Sequence, residues 1–337
     1  MQPLRSKATA GSLAVAFFLT TLPQSLRLEA APHMISPFTA KDYLAALGVI
    51  MIWGTNFVAM KFGLQDFTPF QLGAGRYLSA ALPLILFLRR PALPVRWILA
   101  YGLCQGLGQF GLLFIALKVG MTASLASVLM QTQVFFTALF GMAFLHEPLA
   151  RQQKFSLALG ALALTCFGIG VQSGTSTGVT WAGLLLNLSG AAMWAASNIV
   201  ARKAQQASQG GPGYDPVAFV VWSSAVPVVP FMLLSWAFDP APDWTRLSQV
   251  GWLSWVSILY LGWMATVVGY ALWTGLLKRH PANQVAPLSL GVPVVGLSAG
   301  ALVLQEVISG WQWAGISLTL LALLVNFRPG LLDPRRH

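Results

Sequence analysis

Apolar stretches of about twenty residues recur along this chain, separated by short polar or basic joints, and that spacing restricts the fold more than any other feature. A helix rises about 1.5 Å per residue, so about twenty apolar residues cross the roughly 30 Å of hydrocarbon in a bilayer. Strands of a membrane barrel would be shorter and would alternate apolar with polar positions. Only 9% of the residues are charged and 56% are hydrophobic, whereas a soluble domain carries roughly a quarter charged residues. The chain is therefore read as an all-α integral membrane protein. Ten spans are predicted, at 43–62, 70–88, 97–117, 121–145, 154–172, 180–201, 217–238, 251–276, 282–304 and 310–327. The joint Lys118-Val119-Gly120 is so short that one continuous helix is the competing reading there. Such a helix would be about twice as long as a bilayer is thick, so a tight turn is predicted.

The net charge of +11 invites a nucleic-acid partner, but its distribution points to the membrane instead. With the N-terminus inside, the inner segments hold Arg5, Lys7, Arg27, Lys41, Arg89, Arg90, Arg96, Arg151, Lys154, Arg202, Lys203, Lys278, Arg279, Arg328, Arg335 and Arg336. The opposite face holds Lys61, Lys118 and Arg246. This positive-inside asymmetry predicts cytoplasmic termini and excludes nucleic acid as the reason for the charge. Arg5 and Lys7 followed by the apolar run Leu13 to Leu22 have the look of a signal peptide, with Leu28-Glu29-Ala30-Ala31 as a poor cleavage site. Cleavage there would reverse every later span against the charge asymmetry, so residues 1–40 are read as a dispensable extension, with Met34 as an alternative start. Cys104 and Cys166 fall inside predicted spans and are expected to pack rather than pair.

The chain also matches itself. WGTNFVAMK, from Trp53 to Lys61, aligns with AASNIVARK, from Ala195 to Lys203, pairing Asn56 with Asn198 and Lys61 with Lys203. Later, GMAFLHEPLARQQ from Gly141 aligns with GALVLQEVISGWQ from Gly300, pairing Glu147 with Glu306 and Gln153 with Gln312. Five spans per half is an odd number, so the halves are predicted to be inverted: 41–173 and 178–328, followed by a short basic tail at 329–337.

These residues carry a resemblance. WGTNFVAMKFGL, the Gly75-Arg76-Tyr77 step, GQFGLLFIAL, GMTASLASVLMQTQVFFT, VVWSSAVPVVPF, ATVVGYALW and VAPLSLGVPVVGL together resemble the EamA family of the drug/metabolite transporter superfamily, over about Asp42 to Asn326. Within it the likeness is to the O-acetylserine/cysteine exporter branch. The resemblance implies a ten-helix, inverted-repeat carrier of the bacterial inner membrane that exports small amino-acid-like metabolites through a central cavity.

A carrier needs polar groups facing its interior, because lipid-facing polar groups are costly. On the first span Trp53, Asn56 and Met60 share a stripe; on the sixth, Asn187, Trp194 and Asn198 do. Gln105 and Gln109 share a face at i, i+4. Gln131 and Gln133 are two apart, so at most one faces the cavity unless the helix is distorted there. With Tyr270, these amides and aromatics are the substrate-binding candidates, since amides can both donate to and accept from a zwitterion; the competing role for each is to tie helices together. Arg76 either meets an anion in the cavity or snorkels to the surface. Glu147 and Glu306 end their helices and are read as structural, with a charge or gating role as the alternative, and Pro287 and Pro293 are expected to bend the ninth span and give it a rocking point.

His33, His146, His280 and His337 all lie in joints or tails, which leaves either facilitated export or coupling through a terminal carboxylate such as Glu147. An integral-membrane enzyme would need clustered His, Asp or Glu, and an ATPase would need a GxxxxGK[ST] loop; the sequence has neither. Export of a sugar, a nucleotide precursor or a drug is the rival within transport. No cofactor or metal is expected; the partners are a small-molecule substrate and the bilayer, with homodimerisation left open.

Overall fold

The computed structural model describes residues 38–208, 214–240, 248–280 and 282–327. The extension with its signal-like run, Met34, Arg246 and the basic tail lie outside the described residues. Among the described residues ten long helical segments follow one another: α1 Ala40–Asp66, α2 Pro69–Ile85, α3 Val95–Gly120, α4 Ala123–Leu145, α5 Arg151–Gln172, α6 Trp181–Ala207, α7 Pro216–Phe238, α8 Trp252–Leu277, α9 Pro287–Val303 and α10 Gly310–Phe327. Eight of them, all but α2 and α9, are long and apolar enough to cross a membrane. Their ends lie close to the predicted spans, because local caps stop the helices where the apolar runs stop. Thr39 and Asp42 form a capping box before α1, Thr68 and Gln71 another before α2, and Thr122 and Thr180 cap α4 and α6.

Lipid-facing positions carry large apolar side chains such as Leu86, Phe87, Trp236 and Leu302, all exposed. Inside, the polar residues Asn56, Gln105, Gln109, Gln131, Asn187 and Ser197 are buried, the inverse of a soluble protein and the arrangement a bilayer favours. Cys104 is half-buried, Cys166 is buried, and both are free thiols.

A tight turn separates α3 from α4 as predicted, but it falls at Met121–Thr122, just past the predicted joint, because Lys118, Val119 and Gly120 finish α3. Gly120 sits at φ +132°, and a Cβ there would lie 2.4 Å from the Thr180 side chain. Its carbonyl accepts the Thr180 N–H at 2.9 Å, and Gly183 lets α6 pass directly over it, since a Cβ on Gly183 would stand 2.0 Å from that carbonyl oxygen. Only glycine suits either position.

α1 packs against α8 and α9, while α6 packs against α3 and α4; α2 packs on α7, α5 on α10, and α4 on α9. The irregular turns follow the same pattern. α3 carries a π-helical stretch at Gly102–Gly111 and α8 one at Tyr260–Val268, while α4 carries a 3₁₀ turn at Met130–Thr132 and α9 one at Ala286–Leu290. α4 ends on His146 at φ 57° and α9 is followed by Gln305 at φ 55°, a left-handed conformation that costs a non-glycine residue about 1 kcal/mol or more. In each case the next residue is a glutamate, whose N–H reaches back to Gly141 or Gly300. Just beyond, the Ala150 and Ser309 N–H groups each donate to a glutamine, Gln153 and Gln312, at 2.8 Å. Pro287 falls inside the 3₁₀ turn of α9, where a missing N–H is tolerated, and Pro293 lies buried in the helix that follows.

Candidate binding cavity

The helices surround a central cavity of about 490 Å³, within the usual range for small-molecule sites. It opens between the α4–α5 joint and the ends of α6 and α10, where Glu147, Pro148, Leu149, Gln153, Arg202, Asn326 and Phe327 form the mouth. Its walls carry Trp53 and Asn56 from α1, Gln109 and Phe110 from α3, Gln131, Gln133 and Thr137 from α4, Trp194 and Asn198 from α6, and Tyr270 and Trp273 from α8. Arg76 of α2 and Ser289 and Val292 of α9 line it as well.

The distorted turns decide which side chains reach this space. A 3₁₀ turn winds more tightly than an α-helix, and the one at Met130–Thr132 changes the phase between Gln131 and Gln133. Both therefore line the cavity, and the condition under which only one could face it does not hold. Gln131 Nε2 donates to the Ser289 carbonyl at 3.2 Å, and Gln133 Oε1 accepts from Asn198 Nδ2 at 2.9 Å. Trp53 Nε1, on α1, donates at 3.0 Å to the carbonyl of Ala265 in the π-helical stretch of α8. That bond holds the indole against Tyr270 and Trp273, at ring distances of 5.3 and 5.5 Å.

Gln105 departs from its expected role. Its Nε2 donates to the Tyr270 hydroxyl at 2.7 Å and its Oε1 accepts from Ser197 Oγ at 2.6 Å, so it ties α3 to α6 and α8 instead of lining the main cavity. Asn187, also on the predicted stripe of α6, is fully buried away from the cavity lining. Asn56 and Asn198 both reach the cavity but differ in state. Asn198 is held by Gln133 and by Thr137 Oγ1 at 3.3 Å, whereas Asn56 Oδ1 has no hydrogen-bond partner among the described residues.

Arg76 is only 2% exposed, which excludes snorkelling. Its Nε and Nη2 donate to Thr266 Oγ1 at 3.3 and 3.2 Å, and the guanidinium carbon lies 3.6 Å from the centre of the Phe110 ring. Such contacts offset part of the desolvation of a cation, typically about 2 kcal/mol for a dry cation–π pair. Phe110, Thr266 and Trp273 were not singled out from the sequence. Trp273 could have been, being one helical turn from Tyr270; Thr266 could not, because its approach to Arg76 depends on the π-helical winding of α8.

The far end of the bundle is sealed. Glu306 accepts the N–H groups of Ala123 and Ser124, the first residues of α4, at 2.7 and 2.8 Å. Lys61 Nζ donates to the Leu117 carbonyl and Lys118 Nζ to that of Leu64, both at 2.9 Å, while Leu64, Phe67, Leu117, Met121 and Leu125 fill the space between. At the mouth, by contrast, Glu147 is half-exposed and paired bidentately with Arg202, with one bond of 3.1 Å. Asp42, at the start of α1, joins Arg279 and His280 after α8. Among the described residues no cluster of three His, Cys, Asp or Glu side chains could hold a metal ion.

Comparison with known proteins agrees with this geometry. The EamA-like transporter family matches the chain twice, at residues 40–169 and 181–328. Over 290 residues the chain is 40% identical to a protein of Salmonella typhimurium and 38% identical to one of Escherichia coli, each named a probable amino-acid metabolite efflux pump. Both alignments cover 85% of this chain and 94% of the relative. An uncharacterized transporter of Bacillus subtilis, YoaV, is 26% identical over 85% of this chain and 94% of its own length. A crystal structure of a protein 17% identical in sequence superposes with a TM-score of 0.56, covering 85% of this chain and 95% of that one, and so shares the fold. The chain is a multi-pass membrane protein that belongs to the EamA-like transporter family.

Proposed function

We propose that this protein is a secondary transporter of the bacterial inner membrane that exports small amino-acid-like metabolites, of the O-acetylserine and cysteine type, by alternating access. The observation that carries the reading is the cavity: amides, aromatic rings and one buried cation around about 490 Å³, open at one end and sealed at the other. The names of the Salmonella and Escherichia relatives support the substrate class. Basic residues at the open end, among them Arg89, Arg90, Arg151, Lys154 and Arg202, support a cytoplasmic mouth and cytoplasmic termini. In this state the site loads from inside.

Ten spans arranged as two inverted five-helix repeats supply the mechanism. The paired π-helical stretches, paired 3₁₀ turns and paired left-handed residues support that arrangement, as does the double family match. In the repeat register, Glu147 and the N–H groups of Ala282 and Asn283 correspond to Glu306 and those of Ala123 and Ser124. Glu306 caps α4 and closes the periplasmic end. Glu147 is held by Arg202 at the open mouth and caps the short helix Ala282–Val285, which leads into α9, when the halves exchange conformations. The two carboxylates thus serve as reciprocal latches, a specific form of the gating role that the sequence left as the alternative to a structural one.

The test is counterflow of radiolabelled cysteine and O-acetylserine in proteoliposomes, beside secretion of both from cells overproducing the protein. Saturable counterflow and raised extracellular levels are expected. Well-inserted protein with neither, but with counterflow of a sugar or a drug, would replace the substrate assignment.

A further inference from the structure

Three polar atoms around the cavity have no partner among the described residues, and their chemistry is not random. Arg76 Nη1 is a charged donor, whereas Asn56 Oδ1 and Gln109 Oε1 are neutral acceptors. All three residues line the same cavity and each is more than nine-tenths buried. An unmatched buried polar atom costs about 1 to 3 kcal/mol, more if charged, so three in one lining are a sizeable unsatisfied cost in a bundle whose other polar groups are mostly tied. No carboxylate offsets Arg76: among the lining residues the one acid is Glu147, at the mouth and already paired with Arg202.

The geometry points to a site that reads the two ends of a zwitterionic α-amino acid. The substrate carboxylate pairs with Arg76 Nη1, and the ammonium donates to the Asn56 and Gln109 carbonyl oxygens. The assignment rests on the transport reading above and deepens it, because it says which groups a substrate must carry. Thr266 and the Phe110 ring hold the guanidinium from two sides, leaving Nη1 as its uncommitted donor. Gln109 is the residue before Phe110 on the π-helical stretch of α3, so acceptor and cation are set by the same distortion. The terminal amide torsions of Asn56 and Gln109 are broad and the arginine stem is long, so small rotations bring these atoms to a ligand in the lumen. Trp53, Tyr270 and Trp273 form an apolar wall for the side chain. Because the carboxylate meets a full charge and the ammonium meets only dipoles, the acid group carries more of the recognition.

The experiment measures binding of cysteine, cysteamine, which has no carboxylate, and 3-mercaptopropionate, which has no amine, to purified wild type, Arg76→Gln and Arg76→Lys in lipid nanodiscs. Wild type is expected to prefer cysteine over cysteamine by about thirty-fold or more, and over 3-mercaptopropionate by a smaller factor. In Arg76→Gln the preference over cysteamine falls close to one, and Arg76→Lys restores part of it. Equal wild-type affinity for cysteine and cysteamine overturns the inference while leaving amino-acid export intact, and this arm does not depend on any variant folding. Wild type that binds none of the three compounds but transports a sugar or a drug overturns the transport reading itself.

Discussion

Replacing Glu306 by Gln removes the charge from the seal while keeping its shape. In the closed end the carboxylate accepts two backbone N–H groups at 2.7 and 2.8 Å from the first turn of α4. Hydrogen bonds to a charged group are worth about 1.5 to 3 kcal/mol each, and a negative charge at a helix N-terminus adds about 0.3 to 1 kcal/mol. The amide oxygen of Gln keeps one weaker bond and turns its NH₂ toward the second N–H, which it cannot accept. The sealed end should therefore lose about 2 to 3 kcal/mol, a shift of roughly thirty- to one-hundred-and-sixty-fold toward a state in which that end is open. Glu147→Gln should shift the balance the other way and by less, because it also removes the exposed ion pair with Arg202, worth up to about 1 kcal/mol in the present state. Spin labels on Val119, which is exposed, and on Gly310, where nothing lies within 4 Å of an added Cβ, report the distance across the sealed end, in a background with Cys104 and Cys166 replaced. Pulsed dipolar spectroscopy should show a longer-distance population growing in Glu306→Gln and shrinking in Glu147→Gln. Unchanged distributions, or both variants moving the same way, would refute the latch.

The two matching asparagines should behave differently. Asn56→Ala is expected to weaken substrate affinity about five- to thirty-fold with little change in melting temperature, since its Oδ1 has no partner to lose. Asn198→Ala should lower both, because Asn198 ties α6 to Gln133 and Thr137; a stability loss of equal size in both would contradict this. Gln105→Leu, which breaks the link between Ser197 and Tyr270, should lower the melting temperature more than it lowers affinity, measured on the same purified sample. Gly120→Ala should destabilise the fold by about 2 kcal/mol or more, seen as lost thermal stability and expression, given its positive φ and the Thr180 side chain beside it. Reporter fusions at Arg202 and at the C-terminus should read cytoplasmic and one at Gly174 periplasmic; a reversed pattern would overturn the orientation.

Some of this was legible in the order of residues alone. The helical segments were, because the bilayer acts as a uniform solvent that sorts about twenty apolar residues into each crossing, and so was the sharp turn near Gly120. Asn56, Gln109, Trp53, Trp194, Asn198 and Tyr270 could be picked out because a polar or amphipathic side chain within an apolar run has few places to go but inward, and all six reach the cavity. Tertiary structure decided the rest. Gln105 is consumed by neighbours on two other helices, a matter of which elements meet. Gln131 and Gln133 share the cavity because a 3₁₀ turn rephases α4, and helix-wheel spacing assumes a regular winding that these helices abandon at the site. Arg76 is dry because Phe110 and Thr266 converge on it from α3 and α8. Glu147 and Glu306 stand at matching positions in the sequence, yet one is half-exposed on an arginine and the other caps a helix. A repeat in sequence makes two halves alike, and only the packed bundle makes them differ.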